Sequence, residues 1–107
     1  MIVITAQPGR ITITGHAGYA PSGQDIVCAG VSVLVETLAA SLEELTKDKF
    51  IYEAQPGRVV LEYGILSAGG ALLVESFFVG AGAIARTYPD CVEVIHQNEN
   101  SIGRECR

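Results

Sequence analysis

Ile11 and Ile13 alternate with Thr12 and Thr14, the two-residue period of a strand that buries one face. Similar β-prone runs cover Ile2 to Thr5, Phe50 to Ala54, Val59 to Tyr63 and Val92 to His96. The first four runs pair off around an internal repeat, because Ala6-Gln7-Pro8-Gly9-Arg10 returns as Ala54-Gln55-Pro56-Gly57-Arg58. In each copy proline presets φ at the first central turn position and glycine supplies positive φ at the second. That is type II turn chemistry, although primed turns are commoner in tight hairpins. Either way the flanking runs are expected to be antiparallel neighbours.

After each hairpin the period changes. Val27, Val31, Leu34, Leu38, Leu42 and Leu45 recur at steps of three and four, with Glu36, Glu43 and Glu44 off the stripe, which predicts an amphipathic helix. Asp25 is a good N-cap for it, and Lys47 and Lys49 suit its C-terminal end. A second helical stretch, from about Gly70 to Tyr88, is apolar nearly all round. It is expected to be buried on several sides, in part against another subunit. Its Gly80-Ala81-Gly82-Ala83 run costs about 1 kcal/mol of helix propensity per glycine, which makes sense where a neighbouring backbone comes close. Tyr88-Pro89-Asp90 ends it. The order is ββαββαβ: a single α+β domain over residues 1–96, a mainly antiparallel sheet packed with two helices, followed by a polar tail, 97–107, expected to be mobile.

Composition narrows what such a domain does. At 107 residues with 49% hydrophobic and 18% charged, the chain can bury an aliphatic core without staples. Twelve acids against seven bases give a net charge of −5, which disfavours nucleic acid and anionic lipid as partners and favours a basic peptide or protein. Cys28, Cys91 and Cys106 are odd in number and contain no CxxC pair, so neither a disulfide framework nor a zinc site is suggested, and the cytoplasm fits best. The first residues lack the basic start of a signal peptide. The apolar stretches Ile26 to Leu42 and Ala71 to Ala85 are interrupted by Ser32, Glu36, Thr37 and Ser41 and by Glu75 and Ser76, and are expected to fall short of membrane spans.

Candidate chemistry lies between the first hairpin and the first helix. Gly15-His16-Ala17 ends a strand, a loop with Gly18, Tyr19, Pro21, Ser22 and Gly23 follows, and Asp25 opens the helix that carries Cys28. If Asp25 is the N-cap, Cys28 is the third helical residue, where unpaired N–H groups and the positive end of the helix dipole favour negative charge on sulfur. A histidinium at position 16 adds to that and can afterwards protonate an amine leaving group. Backbone N–H groups at the helix start are candidates to receive an oxyanion. Gly18 and Gly23 flank a bulky centre at Tyr19, as a lid over a peptide would need. The residues alone leave a plainer reading open, in which Cys28 is a small buried hydrophobe and the loop only a loop.

The segment resembles the ribosomal-processing cysteine proteases, the Prp family, whose GHA, short loop, G-x-DIVCA and VS pattern is matched by Gly15-His16-Ala17, Gly23, Asp25 to Ala29 and Val31-Ser32. Weaker likeness extends through the opening hairpin and Ala85-Arg86-Thr87-Tyr88-Pro89. The resemblance implies His16 and Cys28 as a catalytic dyad in a small cytoplasmic homodimer that needs no cofactor. Its implied work is to remove an N-terminal extension from a large-subunit ribosomal protein after paired aromatic residues, or to process a related phage capsid or scaffold protein. Asp25 is read first as a cap and second as an orienting group, since one carboxylate does not easily do both. Ser32, a turn beyond Cys28, is expected to bond back to the helix carbonyls rather than approach the site. Gly30 and Pro21-Ser22 depart from the family pattern. The rival reading is a non-catalytic dimeric peptide-binding module of the same fold. A thiol redox protein lacks a resolving cysteine nearby.

Overall fold

The computed structural model describes residues 1–18, 20–21 and 25–97. Both repeats are two-residue turns that close antiparallel hairpins: β1 (Ile2–Gln7) with β2 (Arg10–Thr14), and β3 (Phe50–Gln55) with β4 (Arg58–Tyr63). Gly9 and Gly57 have φ of 73° and 78°, while no described residue other than glycine has positive φ. Positive φ at the second central position alone selects type II over the primed alternatives.

The two hairpins join through their inner strands. β2 runs antiparallel to β4 in the register Ile11↔Leu61, and each turn docks on the other hairpin. The Gly9 carbonyl accepts from Tyr63 N–H and the Gly57 carbonyl accepts from Gly15 N–H, each at 2.9 Å. β5 (Val92–His96) returns to pair parallel with β1, which gives the order β3-β4-β2-β1-β5. The sheet is thus mainly antiparallel, with one parallel edge pair, and the ββαββαβ order holds.

Alternation puts Ile2, Ile4, Ile11, Ile13, Leu61 and Val92 on one face, all buried, and α1 (Ile26–Leu45) and α2 (Ala68–Thr87) cover that face side by side. Full burial of an aliphatic side chain such as Ile4, Ile11, Leu42 or Leu61 contributes roughly 1.5–3 kcal/mol. The opposite face carries Thr12, Val60 and an Arg10–Glu62 ion pair at 3.4 Å between β2 and β4. Val60 is buried there between its cross-strand partners Glu53 and Thr12.

α1 buries Val27, Val31, Val35, Leu38, Ala39 and Leu42, while Leu34 is half-buried and Leu45 is exposed. The helix stops at Thr46, whose hydroxyl donates to the Leu42 carbonyl (2.7 Å) and accepts from Asp48 N–H (3.0 Å), so Lys47 and Lys49 lie beyond the last turn. α2 begins two residues earlier than expected, because Ser67 caps it through Gly70 N–H while donating its own hydroxyl to Asp48.

The expectation that α2 is buried on several sides does not hold within the chain. One stripe, Gly70, Val74, Phe77 and Ala81, faces inward, whereas Leu72 and Val79 are 67% and 72% exposed. The glycines admit side chains rather than backbone: a Cβ on Gly80 would stand 2.9 Å from Leu34 Cδ2, and one on Gly30 would stand 3.5 Å from Ile84 Cδ1. These two contacts, four residues apart on each helix, make α1 and α2 antiparallel. Both helices are, by length and composition, apolar enough to cross a membrane, contrary to expectation. Their apolarity is spent in part on the sheet and on each other. Gln97, assigned above to the tail, is fastened to β1 through its N–H to Ala6 O (2.7 Å) and a side-chain bond with Gln7. The rest of that tail, 98–107, lies outside the described residues.

Candidate active site

The end of β2 leaves the sheet at Gly15, whose φ of 91° turns the chain and whose missing Cβ leaves room for the Met1 carbonyl oxygen. The Gly15 N–H bond to Gly57 pins this turn to the second hairpin. His16 follows, exposed, with its ring lying on that hairpin's turn: Nε2 is 3.2 Å from where a Cβ on Gly57 would stand. Ala17 is buried, and its N–H donates to Cys28 Sγ at 3.3 Å. The backbone one residue after His16 therefore holds the sulfur of Cys28, and a donor of this kind grips more strongly as its acceptor gains charge.

Cys28 is half-buried on the first turn of α1. Asp25 is the N-cap, extended at φ −85°, and one oxygen, Oδ1, accepts from both Val27 N–H and Cys28 N–H at 3.0 Å. Its carbonyl accepts from Ala29 N–H at 3.1 Å. Cys28 is thus the third helical residue, as its spacing from Asp25 requires. The same bonds correct one expectation: the Val27 and Cys28 N–H groups are occupied by a carboxylate and are not open to an oxyanion. The donor that reaches the sulfur comes instead from Ala17, across the loop.

The other singled-out residues are placed as follows. Ser32 is exposed one turn after Cys28, and among the described residues its hydroxyl makes no bond back to the helix, unlike Thr46 and Thr87, which do. Gly18 has φ of 70° with open space where a Cβ would be. Tyr19, Ser22 and Gly23 lie outside the described residues. Among the described residues the His16 ring makes no hydrogen bond, so histidine and cysteine meet through the Ala17 backbone and not ring to sulfur. The contact of His16 with the Gly57 turn escaped the sequence reading; the repeat was visible there, but not the docking of one hairpin's turn on the other's strand end.

A two-layer α+β domain that carries a half-buried cysteine in the first turn of a capped helix, with a histidine beside the sulfur's backbone donor, has the parts of a thiol peptidase. The sequence model of the cysteine protease Prp family matches residues 1–93, and the chain belongs to that family. The ribosomal processing cysteine protease Prp of Mycoplasma pneumoniae is 49% identical over 35 residues, a match that spans 33% of this chain and 35% of that relative. The crystal structure of the ribosomal processing protease Prp from S. aureus with a covalently linked product peptide is similar in fold, with a TM-score of 0.86 at 19% identity over 91% of this chain and 100% of that one. SMU.848 from Streptococcus mutans aligns with a TM-score of 0.74 at 26% identity over 91% of this chain and 92% of that one.

Proposed function

We propose that this chain is a cysteine endopeptidase that trims an N-terminal extension from a ribosomal protein, with Cys28 as nucleophile and His16 as its acid–base partner. The observation that carries the reading is the Ala17 N–H bond to Cys28 Sγ, which sets the sulfur beside the histidine-bearing strand end in a member of a protease family. Sγ attacks the scissile carbonyl carbon and a carbon–sulfur bond forms. His16, holding the proton taken from the Cys28 thiol, gives it to the leaving amine as the carbon–nitrogen bond breaks. His16 then takes a proton from the water that attacks the thioester and returns it to Sγ as the carbon–sulfur bond breaks, which releases the acid and restores the thiol. His16 is exposed and not hydrogen-bonded among the described residues, so its ring can turn toward the sulfur when a peptide arrives; catalytic hydrogen bonds are often loose without substrate.

The substrate class rests on relatives described as ribosomal processing proteases, one of them bound to a substrate peptide, and the net charge of −5 suits the basic body of a ribosomal protein. The exposed apolar residues of α2 favour a homodimer. The free thiols Cys28 and Cys91 favour the cytoplasm.

The test is mass-spectrometric cleavage of a peptide with paired aromatic residues before the scissile bond, by wild type, Cys28→Ser and His16→Ala, with sedimentation of the same preparations. Wild type is expected to cut at one site and sediment as a dimer, and both variants to lose about 100-fold or more in rate. Folded wild type that binds the peptide without cutting it would leave a binding module, and undiminished cutting by Cys28→Ser would remove Cys28 as nucleophile.

A further inference from the structure

His16 is held by few partners. It is exposed, its ring has no hydrogen bond among the described residues, and it follows a glycine, so its own strand end does little to fix the imidazole. What the ring stands beside is Gly57, in the turn of the other hairpin and about 40 residues further along the chain. That turn acts twice. The Gly57 carbonyl accepts from Gly15 N–H and so anchors the backbone just before His16, and the bare Cα of Gly57 leaves the space in which Nε2 sits. A Cβ at Gly57 would lie 3.2 Å from Nε2 and 3.8 Å from Cε1, tight enough that the ring must give way by a few tenths of an ångström.

We propose that Gly57 is a positioning residue for His16: the turn of the β3–β4 hairpin is the shelf on which the imidazole rests within reach of the Cys28 site. This inference rests on the catalytic reading of His16. It gives the repeated turn two different uses. Gly9, the counterpart of Gly57 in the first copy, has nearly the same positive φ, but the missing Cβ there faces the Tyr63 carbonyl, at 2.8 Å, and no site residue.

The repeat supplies its own control. Alanine at either glycine strains a left-handed backbone and risks the fold, so asparagine, which tolerates that region, is the better probe. In Gly57→Asn we expect kcat, corrected for folded fraction, to fall about 10- to 100-fold with KM within about twofold. Gly9→Asn, whose Cβ must push back the Tyr63 backbone carbonyl, is expected to lose more stability, and with the same correction its kcat and KM stay within about twofold of wild type. The NMR signals of the His16 ring should shift in Gly57→Asn and not in Gly9→Asn. In a His16→Ala background Gly57→Asn should cause no further slowing of Cys28 alkylation by iodoacetamide, since the ring it displaces is gone.

Unshifted His16 ring signals in Gly57→Asn, equal kinetic behaviour of the two asparagine variants, or a Gly57→Asn effect that persists without His16 would each overturn the proposal. A wild type that does not cut, or a His16→Ala variant that cuts normally, would instead fell the catalytic reading, and the ring signals would still decide whether Gly57 places His16.

Discussion

Asp25 shows how much one side chain settles at this site. Its Oδ1 gathers the N–H groups of Val27 and Cys28, so the carboxylate begins α1 and also fixes the backbone of the cysteine. Losing an N-cap typically costs about 1 kcal/mol, while asparagine caps as well as aspartate. Asp25→Ala should therefore lower stability by about 1 kcal/mol in urea unfolding, and Asp25→Asn by no more than a few tenths. Cleavage separates the two roles weighed for this residue. If capping is the whole of its work, Asp25→Asn cuts at close to the wild-type rate, and a loss of cutting in a stable Asp25→Asn protein would mean that the charge itself orients the site.

Between elements, the seam of α1 and α2 and the start of α2 turn on glycines that serve different ends. Gly30 faces Ile84 at ordinary contact distance, so a methyl group fits, and alanine should stabilise α1 by about 0.5–1 kcal/mol through helix propensity. Gly70 is buried against Asp48, where a Cβ would collide with the carboxylate that receives the Ser67 hydroxyl and N–H. Gly70→Ala should destabilise by about 1–3 kcal/mol as that cap is pushed aside. Thermal unfolding of the two variants, one up and one down, checks both signs.

The same seam marks the limit of what the sequence makes legible. The hairpins, the capped start of α1 and the order of elements follow from local chemistry: proline before glycine, aspartate before an apolar stripe, threonine alternating with isoleucine. Cys28 at the third helical position was legible for the same reason. The one-sided burial of α2 was not, because an apolar helix reads alike whether its outer face is covered or bare. Nor was the rest of His16 on Gly57, or the Ala17 bond to Sγ, because both depend on the register of β2 against β4 and on where the loop returns, and neither is written within a few residues of its partners.

For the whole molecule, the layering makes a prediction about alkaline pH. Tyr52 and Tyr63 stand on the helix-facing side of β3 and β4, in register with Leu61 and Phe50. Burial raises both phenols above their ordinary value of 10.0, and for Tyr52 the negative charge of Glu36 on α1 adds to it. In the unfolded chain both ionise near 10, while the folded protein holds their protons to higher pH. Above that point the unfolded state binds fewer protons, so the contribution of these groups is complete below pH 10 and is lost as pH rises through the folded values. Urea unfolding should thus show stability falling as the pH rises above about 10. Tyr52→Phe and Tyr63→Phe, which keep the ring and remove the ionisable hydroxyl, should each flatten the decline. Glu36→Gln should flatten it less, and only at low salt, because ions screen the charge across the helix–sheet gap but leave the burial untouched. A decline that the double phenylalanine variant leaves unchanged would mean that other groups set the alkaline limit of this fold.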